Sequence, residues 1–160
     1  MRKIRQMICL KNGEGRKMEN LDSIYTELIM EHSMASHNKR KLDNPDKCEM
    51  GHNPSCGDEI EIQIKMKDNV IDDLAFTGQG CAISQASTSI MIDTLIGKTK
   101  EEALEIINTF IGMIKREITD EEELEKLEEA IAFKNISNMP ARVKCAVLAW
   151  HTIKDLLDKE

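Results

Sequence analysis

The chain has 160 residues, with 22 Lys and Arg against 29 Asp and Glu for a formal charge of -7, a length that fits one domain able to bury its own core. The acidic balance argues against a general nucleic-acid binder, which needs a basic footprint. One Trp, one Tyr and three Phe also argue against a stacking platform for bases or sugars, while 41% hydrophobic and 32% charged residues are an ordinary globular mixture.

Residues 1–20 mix Lys, Arg, Gly and Asn without a sustained period and read as a disordered or non-native extension, with Met18 as the expected true start. Residues 21–160 read as the single domain. An amphipathic helix is predicted from Leu21 to about His37, with Asp22 as its N-cap and Ile24, Leu28 and Met34 as its apolar positions. A polar loop, Asn38 to Asn53, follows. Ile60, Ile62, Ile64 and Met66 then alternate with polar residues, the period of a half-buried antiparallel strand. Asp68-Asn69 supplies a turn, and Val70 to Thr77 returns as a second strand, ended by Gly78-Gln79-Gly80. A small-residue helix is predicted from Cys81 to Ile96, closed by Gly97. Next comes an apolar stripe at helical spacing (Ala103, Ile106, Ile107, Phe110, Ile111, Ile114). An acidic helix is expected from Glu121 to Ala132, with Leu124, Leu127 and Ile131 inward. The last helix begins near Pro140 and buries Ala146, Trp150, Ile153 and Leu157. The order gives an α+β fold.

The five cysteines, Cys9, Cys48, Cys56, Cys81 and Cys145, are odd in number, which excludes complete disulfide pairing. The N-terminus has no apolar run of signal-peptide length, and no stretch reaches the roughly 20 apolar residues of a membrane span. A cytoplasmic location is the expectation, and there thiols serve more often as metal ligands or nucleophiles.

Cys56 lies in Asn53-Pro54-Ser55-Cys56-Gly57-Asp58. In an extended backbone Cys56 and Asp58 would share a face, and Gly57 between them permits unusual backbone angles. Cys81 follows Gly78-Gln79-Gly80 and opens a helix, where unpaired N–H groups and the macrodipole favour a thiolate; Gly80 allows close backbone approach. Cys145 sits in Pro140-Ala141-Arg142-Val143-Lys144-Cys145, where Arg142 and Lys144 favour its thiolate. Each segment alone also reads as a turn or a buried helical cysteine. None has the CxxC spacing of a zinc finger. Together, one ligand before the hairpin and two at helix starts can converge at one end of a small sheet. Three thiolates and a carboxylate are a suitable set for Zn²⁺, and soft thiolates also suit iron–sulfur clusters.

NPSCGDEI, TGQGCAISQAS and PARVKC, in this order and with a hairpin between the first two, resemble the SufU-type branch of the U-type iron–sulfur cluster assembly proteins, relatives of IscU and of the NifU N-terminal domain. The resemblance runs from about Leu21 to Leu157. It implies a small antiparallel sheet of about three strands packed against several helices, with Cys56, Asp58, Cys81 and Cys145 as metal ligands and Gly57, Gly80, Arg142 and Lys144 in support. IscU-type chains place His before the third cysteine, where this chain has Lys144, and carry an LPPVK-like chaperone segment that Asn138 to Lys144 does not match. The long stretch between Cys81 and Cys145 also looks SufU-like.

The resemblance further implies a Zn²⁺-bound acceptor of persulfide sulfur, partnered by a SufS-type cysteine desulfurase and other cluster-assembly proteins, rather than a stand-alone enzyme. Cys56, in the flexible turn, is the expected acceptor. The alternative is a scaffold that assembles a 2Fe–2S cluster and hands it to apoproteins, and a third reading is a structural zinc adaptor. Neither nucleic acid nor membrane is an expected partner. Cys9 and Cys48 read as bystanders, His52 as a solvated loop residue, and Asp120 to Glu129 as a solvent-facing helix surface or, less favoured, a desulfurase contact.

Overall fold

The computed structural model describes residues 17–34 and 36–159, with residues 17–22 described by their backbone alone. Cys9 and most of the expected extension 1–20 lie outside what is described. The elements run α1 (Lys17–Met34), β1 (Lys47–Asn53), β2 (Asp58–Lys67), β3 (Val70–Gln79), α2 (Ala82–Leu95), α3 (Lys100–Ile114), the short α4 (Glu121–Leu124), a 3-10 segment (Glu125–Asn138) and α5 (Pro140–Asp158). The α+β expectation holds, with one antiparallel sheet in the order β1-β2-β3.

The alternation in β2 does what its period implies. Ile60, Ile62 and Ile64 are fully buried beside Ile71, Leu74 and Phe76 of β3. Asp68 and Asn69 both take positive φ, 52° and 65°, the turn geometry that follows the natural twist of a hairpin. β3 continues past the expected Thr77 to Gln79. It does so through Gly78, whose φ of +114° and packing against the Glu59 carbonyl leave no room for a side chain.

β1 occupies part of the stretch expected to be a polar loop. Its only buried positions are Gly51 and Asn53, so it lacks a hydrophobic signature; its ladder with β2, from Lys47↔Ile64 to Asn53↔Asp58, makes it a strand. Gly51 is small for a reason: a Cβ there would collide with Thr152 Oγ1 of α5. Helix α5 therefore lies close on β1 at this point.

α1 starts at Lys17 rather than Leu21, which places Asp22 inside the helix and not at its N-cap. Ile24 and Leu28 are buried as expected, but Met34 is 81% exposed. The acidic helix expected from Glu121 to Ala132 is not continuous. Its regular part stops at Leu124, and a 3-10 segment follows, interrupted at Glu128 with φ 51°. Leu124 and Leu127 are buried as expected. The Phe110 and Trp150 rings stack at 3.9 Å in the middle of the helical layer, and the indole N–H donates to Ser87 Oγ at 2.9 Å, satisfying the one polar atom of the ring.

Candidate metal and sulfur site

The β1–β2 connection is a tight loop in which Cys56 N–H donates to the Asn53 carbonyl at 3.3 Å. Gly57 adopts φ +68° with open space around it. Cys56 and Asp58 thus come together through a left-handed turn, not through the extended backbone expected from their spacing. The turn leaves Cys56 partly exposed and carries Asp58 to complete burial at the start of β2.

Helix α5 supplies the next donor. Its close approach at Gly51 places Cys145, 1% exposed, against the hairpin end, where its thiol donates to Cys56 Sγ at 3.1 Å. Donor atoms of Cys56, Asp58 and Cys145 all lie within 4.8 Å of one another. Cys81 stands at the edge of this group. It is the N-cap of α2, its sulfur accepting from Ser84 N–H at 3.5 Å, and its backbone N–H donates to Asp58 Oδ1 at 2.9 Å. The structure therefore brings three of the four expected ligands into one cluster and ties the fourth to it through Asp58. Arg142 and Lys144 are exposed on the first turns of α5. The nearness of Cys81, a hydrogen bond with Cys145, and the charges of Cys145 and Cys56 raise the Arg142 pKa.

Burial pushes the Cys145 thiol far above its ordinary value, and hydrogen bonding with Cys56, Asp58 and Cys81 and the charge of Cys81 push the same way. A buried thiol so crowded stays protonated unless a cation compensates its charge. The donor set fits such a cation: closely placed sulfurs, a fully buried carboxylate, and soft and hard donors mixed as Zn²⁺ or iron accepts them. Ser84 Oγ is the one buried side-chain polar atom without a hydrogen-bond partner among the described residues, and it lies at this site, 3.1 Å from where a Gly80 Cβ would stand. Gly80 itself is required to be small, because its Cβ would lie 2.8 Å from Asp58 Oδ1.

Asn53 and Ser84 are site residues that sequence reasoning did not single out. Asn53 Nδ2 donates to Asp58 Oδ2 at 3.3 Å and lies 3.8 Å from Cys145 Sγ. Only the structure shows its position opposite Asp58 in the ladder. Cys48 is exposed and is not one of the clustered donors. His52 is exposed and faces Glu59 at 3.5 Å, in keeping with a solvated residue.

The profile of the NifU-like N terminal domain family matches residues 24–159. The chain belongs to this family. An iron–sulfur cluster assembly scaffold protein IscU from Thermotoga maritima is 41% identical over 136 residues, covering 85% of this chain and 94% of that protein. A zinc-dependent sulfurtransferase SufU from Bacillus subtilis is 37% identical over 142 residues, covering 88% and 94%. Among solved structures, a putative scaffold protein for the SUF system from Fervidobacterium islandicum superposes with TM-score 0.79 at 41% identity, covering 85% of this chain and 98% of that one. In this family member, no helix among the described residues is long and apolar enough to cross a membrane.

Proposed function

We propose that this chain serves iron–sulfur cluster biogenesis as a zinc-bound acceptor of persulfide sulfur from a cysteine desulfurase. The observation that carries the reading is the pairing of one partly exposed and one buried thiol: Cys56 on the hairpin loop, 3.1 Å from Cys145. The similarity to a protein named as a zinc-dependent sulfurtransferase supports it. Cys56, Asp58, Cys81 and Cys145 would hold the zinc, which when bound keeps thiols deprotonated and shielded from oxidation.

In the transfer step, the Cys56 thiolate attacks the outer sulfur of the desulfurase persulfide. A new S–S bond forms at Cys56 Sγ, the donor's S–S bond breaks, and its electron pair leaves with the donor thiolate. No external oxidant or reductant enters. Asp58 and Cys145 stay in place because both are buried, and Arg142 offers positive charge at the cluster's exposed edge.

Anaerobic protein should contain stoichiometric zinc and stimulate a SufS-type desulfurase. The Cys56→Ser variant should still bind that enzyme but lose labelling by radioactive sulfur. Persistent labelling of the variant would move the acceptor role to Cys145. A second reading rests on the same donors and on the relative named as a scaffold: the site assembles a 2Fe–2S cluster as cargo, with Asp58 as the hard, exchangeable ligand. A brown, iron-loaded preparation that reconstitutes apo-ferredoxin, without sulfur-acceptor activity, would favour it.

A further inference from the structure

Away from the thiols, the fold assembles a second set of donor atoms. His32 on α1, Asp93 on α2 and Glu129 in the 3-10 segment each offer one atom, and these atoms lie within 4.8 Å of one another. His32 is 8% exposed. Its Nε2 lies 3.7 Å from Glu129 Oε2 and 4.0 Å from Asp93 Oδ2. Both separations are too long for hydrogen bonds. They approach the edge of a coordination tetrahedron, whose corners stand roughly 3.3 Å apart for donors about 2.0 Å from a zinc ion. Small side-chain rotations would close the difference.

The two nearest ligand residues are also held from behind. His32 Nδ1 is 2.7 Å from Ser89 Oγ, which also bonds with Ser36 Oγ at 2.7 Å and Asn38 Nδ2 at 3.2 Å; for Nε2 to offer its lone pair to a metal, Ser89 accepts the Nδ1–H and turns its own hydroxyl hydrogen to Ser36 Oγ. Asp93 Oδ1 accepts from Asn38 Nδ2 at 2.9 Å and lies 3.0 Å from His37 Nε2. Asn38 is itself buried and bonded to the Ser89 carbonyl at 3.0 Å. Partners behind ligating groups that hold their orientation are a usual mark of a metal site. An isolated ion pair does not need them.

We propose that His32, Asp93 and Glu129 bind a divalent transition-metal ion, Zn²⁺ in preference to Mg²⁺ or Ca²⁺, at a site separate from the cysteines. One imidazole and two carboxylates suit a borderline cation, and three protein donors leave the fourth position to water. The bound ion ties α1 to α2 and to the 3-10 segment. Metal content then exceeds what the thiol site alone accounts for.

The test is a Co²⁺ titration of the full chain carrying Cys56→Ser, Cys81→Ser and Cys145→Ser, followed by Zn²⁺ displacement. A single equivalent of Co²⁺ should bind with weak visible bands and no sulfur-to-cobalt charge transfer. Adding Asp93→Asn or Glu129→Gln should weaken binding by at least about 10-fold, the lower end of what loss of a supporting partner alone produces. Absence of binding, a charge-transfer band, or affinity unchanged by both substitutions would overturn the proposal. If the triple variant does not fold, zinc-loaded wild-type protein takes its place, and the second equivalent is judged by the same spectrum and the same two substitutions.

Discussion

Gly80→Ala isolates the coupling between backbone and site most sharply. The added methyl would stand 2.8 Å from Asp58 Oδ1 and 3.1 Å from Ser84 Oγ, short of an ordinary carbon–oxygen contact of about 3.3–3.6 Å by roughly half an ångström. Asp58 is fully buried and cannot swing into water. It has to yield its bond from Cys81 N–H, which is 2.9 Å long and, being made to a carboxylate, worth about 1.5–3 kcal/mol. The expected loss of stability in urea is therefore about 1–3 kcal/mol. Zinc affinity, read by competition with a chromogenic chelator, should fall about 10- to 100-fold, as when a partner of a ligand is lost. Gly57→Ala is the control: its methyl meets nothing within 4 Å, so it carries only the strain of a left-handed backbone, about 1–2 kcal/mol, with much less effect on zinc. If Gly80→Ala binds zinc like the wild type, Asp58 does not transmit the backbone position to the metal, and the reasoning fails.

Asn53→Ala should cost about 1–3 kcal/mol by leaving the buried Asp58 carboxylate short of a donor, and it should weaken zinc binding in the chelator assay; unchanged binding would assign Asn53 to the strand alone. Thr99→Ala removes the capping box of α3, in which Glu102 N–H donates to Thr99 Oγ1 at 3.2 Å and Thr99 N–H to Glu102 Oε2 at 2.9 Å. A drop of about 1 kcal/mol in urea stability with zinc affinity intact is expected. Burial raises the Asp73 carboxyl, but hydrogen bonds from Arg40 and from Leu74 N–H and the charges of Arg40 and Lys65 outweigh it and leave the pKa low. Such a group contributes stability above its unfolded pKa and loses it as pH falls through the folded value. Arg40→Met should therefore differ from wild type by under about 1 kcal/mol at neutral pH, since the pair is partly exposed. That gap should narrow below about pH 4, and a gap that widens in acid would contradict it.

The hairpin of β2 and β3 was legible because Ile60, Ile62 and Ile64 alternate with polar residues and Asp68-Asn69 tolerates positive φ. Cys81 was legible as a helix start because the glycines before it permit what the backbone does there. β1 was not, since its inward residues are Gly51 and Asn53, chosen for the approach of α5 and for Asp58 rather than for apolar burial. Nothing local announces the break at Glu128 either. A glutamate at φ 51° is a backbone conformation that its residue type does not favour. His32, Asp93 and Glu129 stayed hidden for a related reason: they come from three elements, and only the packing of α1 on α2 and the 3-10 segment brings them together.

Asp58 also bears on what it takes for Cys56 to leave its resting position. Bringing the hairpin to the start of α5 closes a loop of most of the chain, and the entropy of such a closure grows only slowly with loop length. Asp58, two residues beyond Cys56, is fixed to the first turn of α2 by the Cys81 N–H and to β1 by Asn53. These bonds span 23 and 5 residues, and the 89-residue closure to α5 is kept by the packing of α5 on β1 at Gly51, without Cys56. Swinging Cys56 outward therefore reopens only the few residues of the hairpin tip, and the ring formed by the rest of the chain stays shut. A thiol on that tip is free to travel at little conformational cost to the domain.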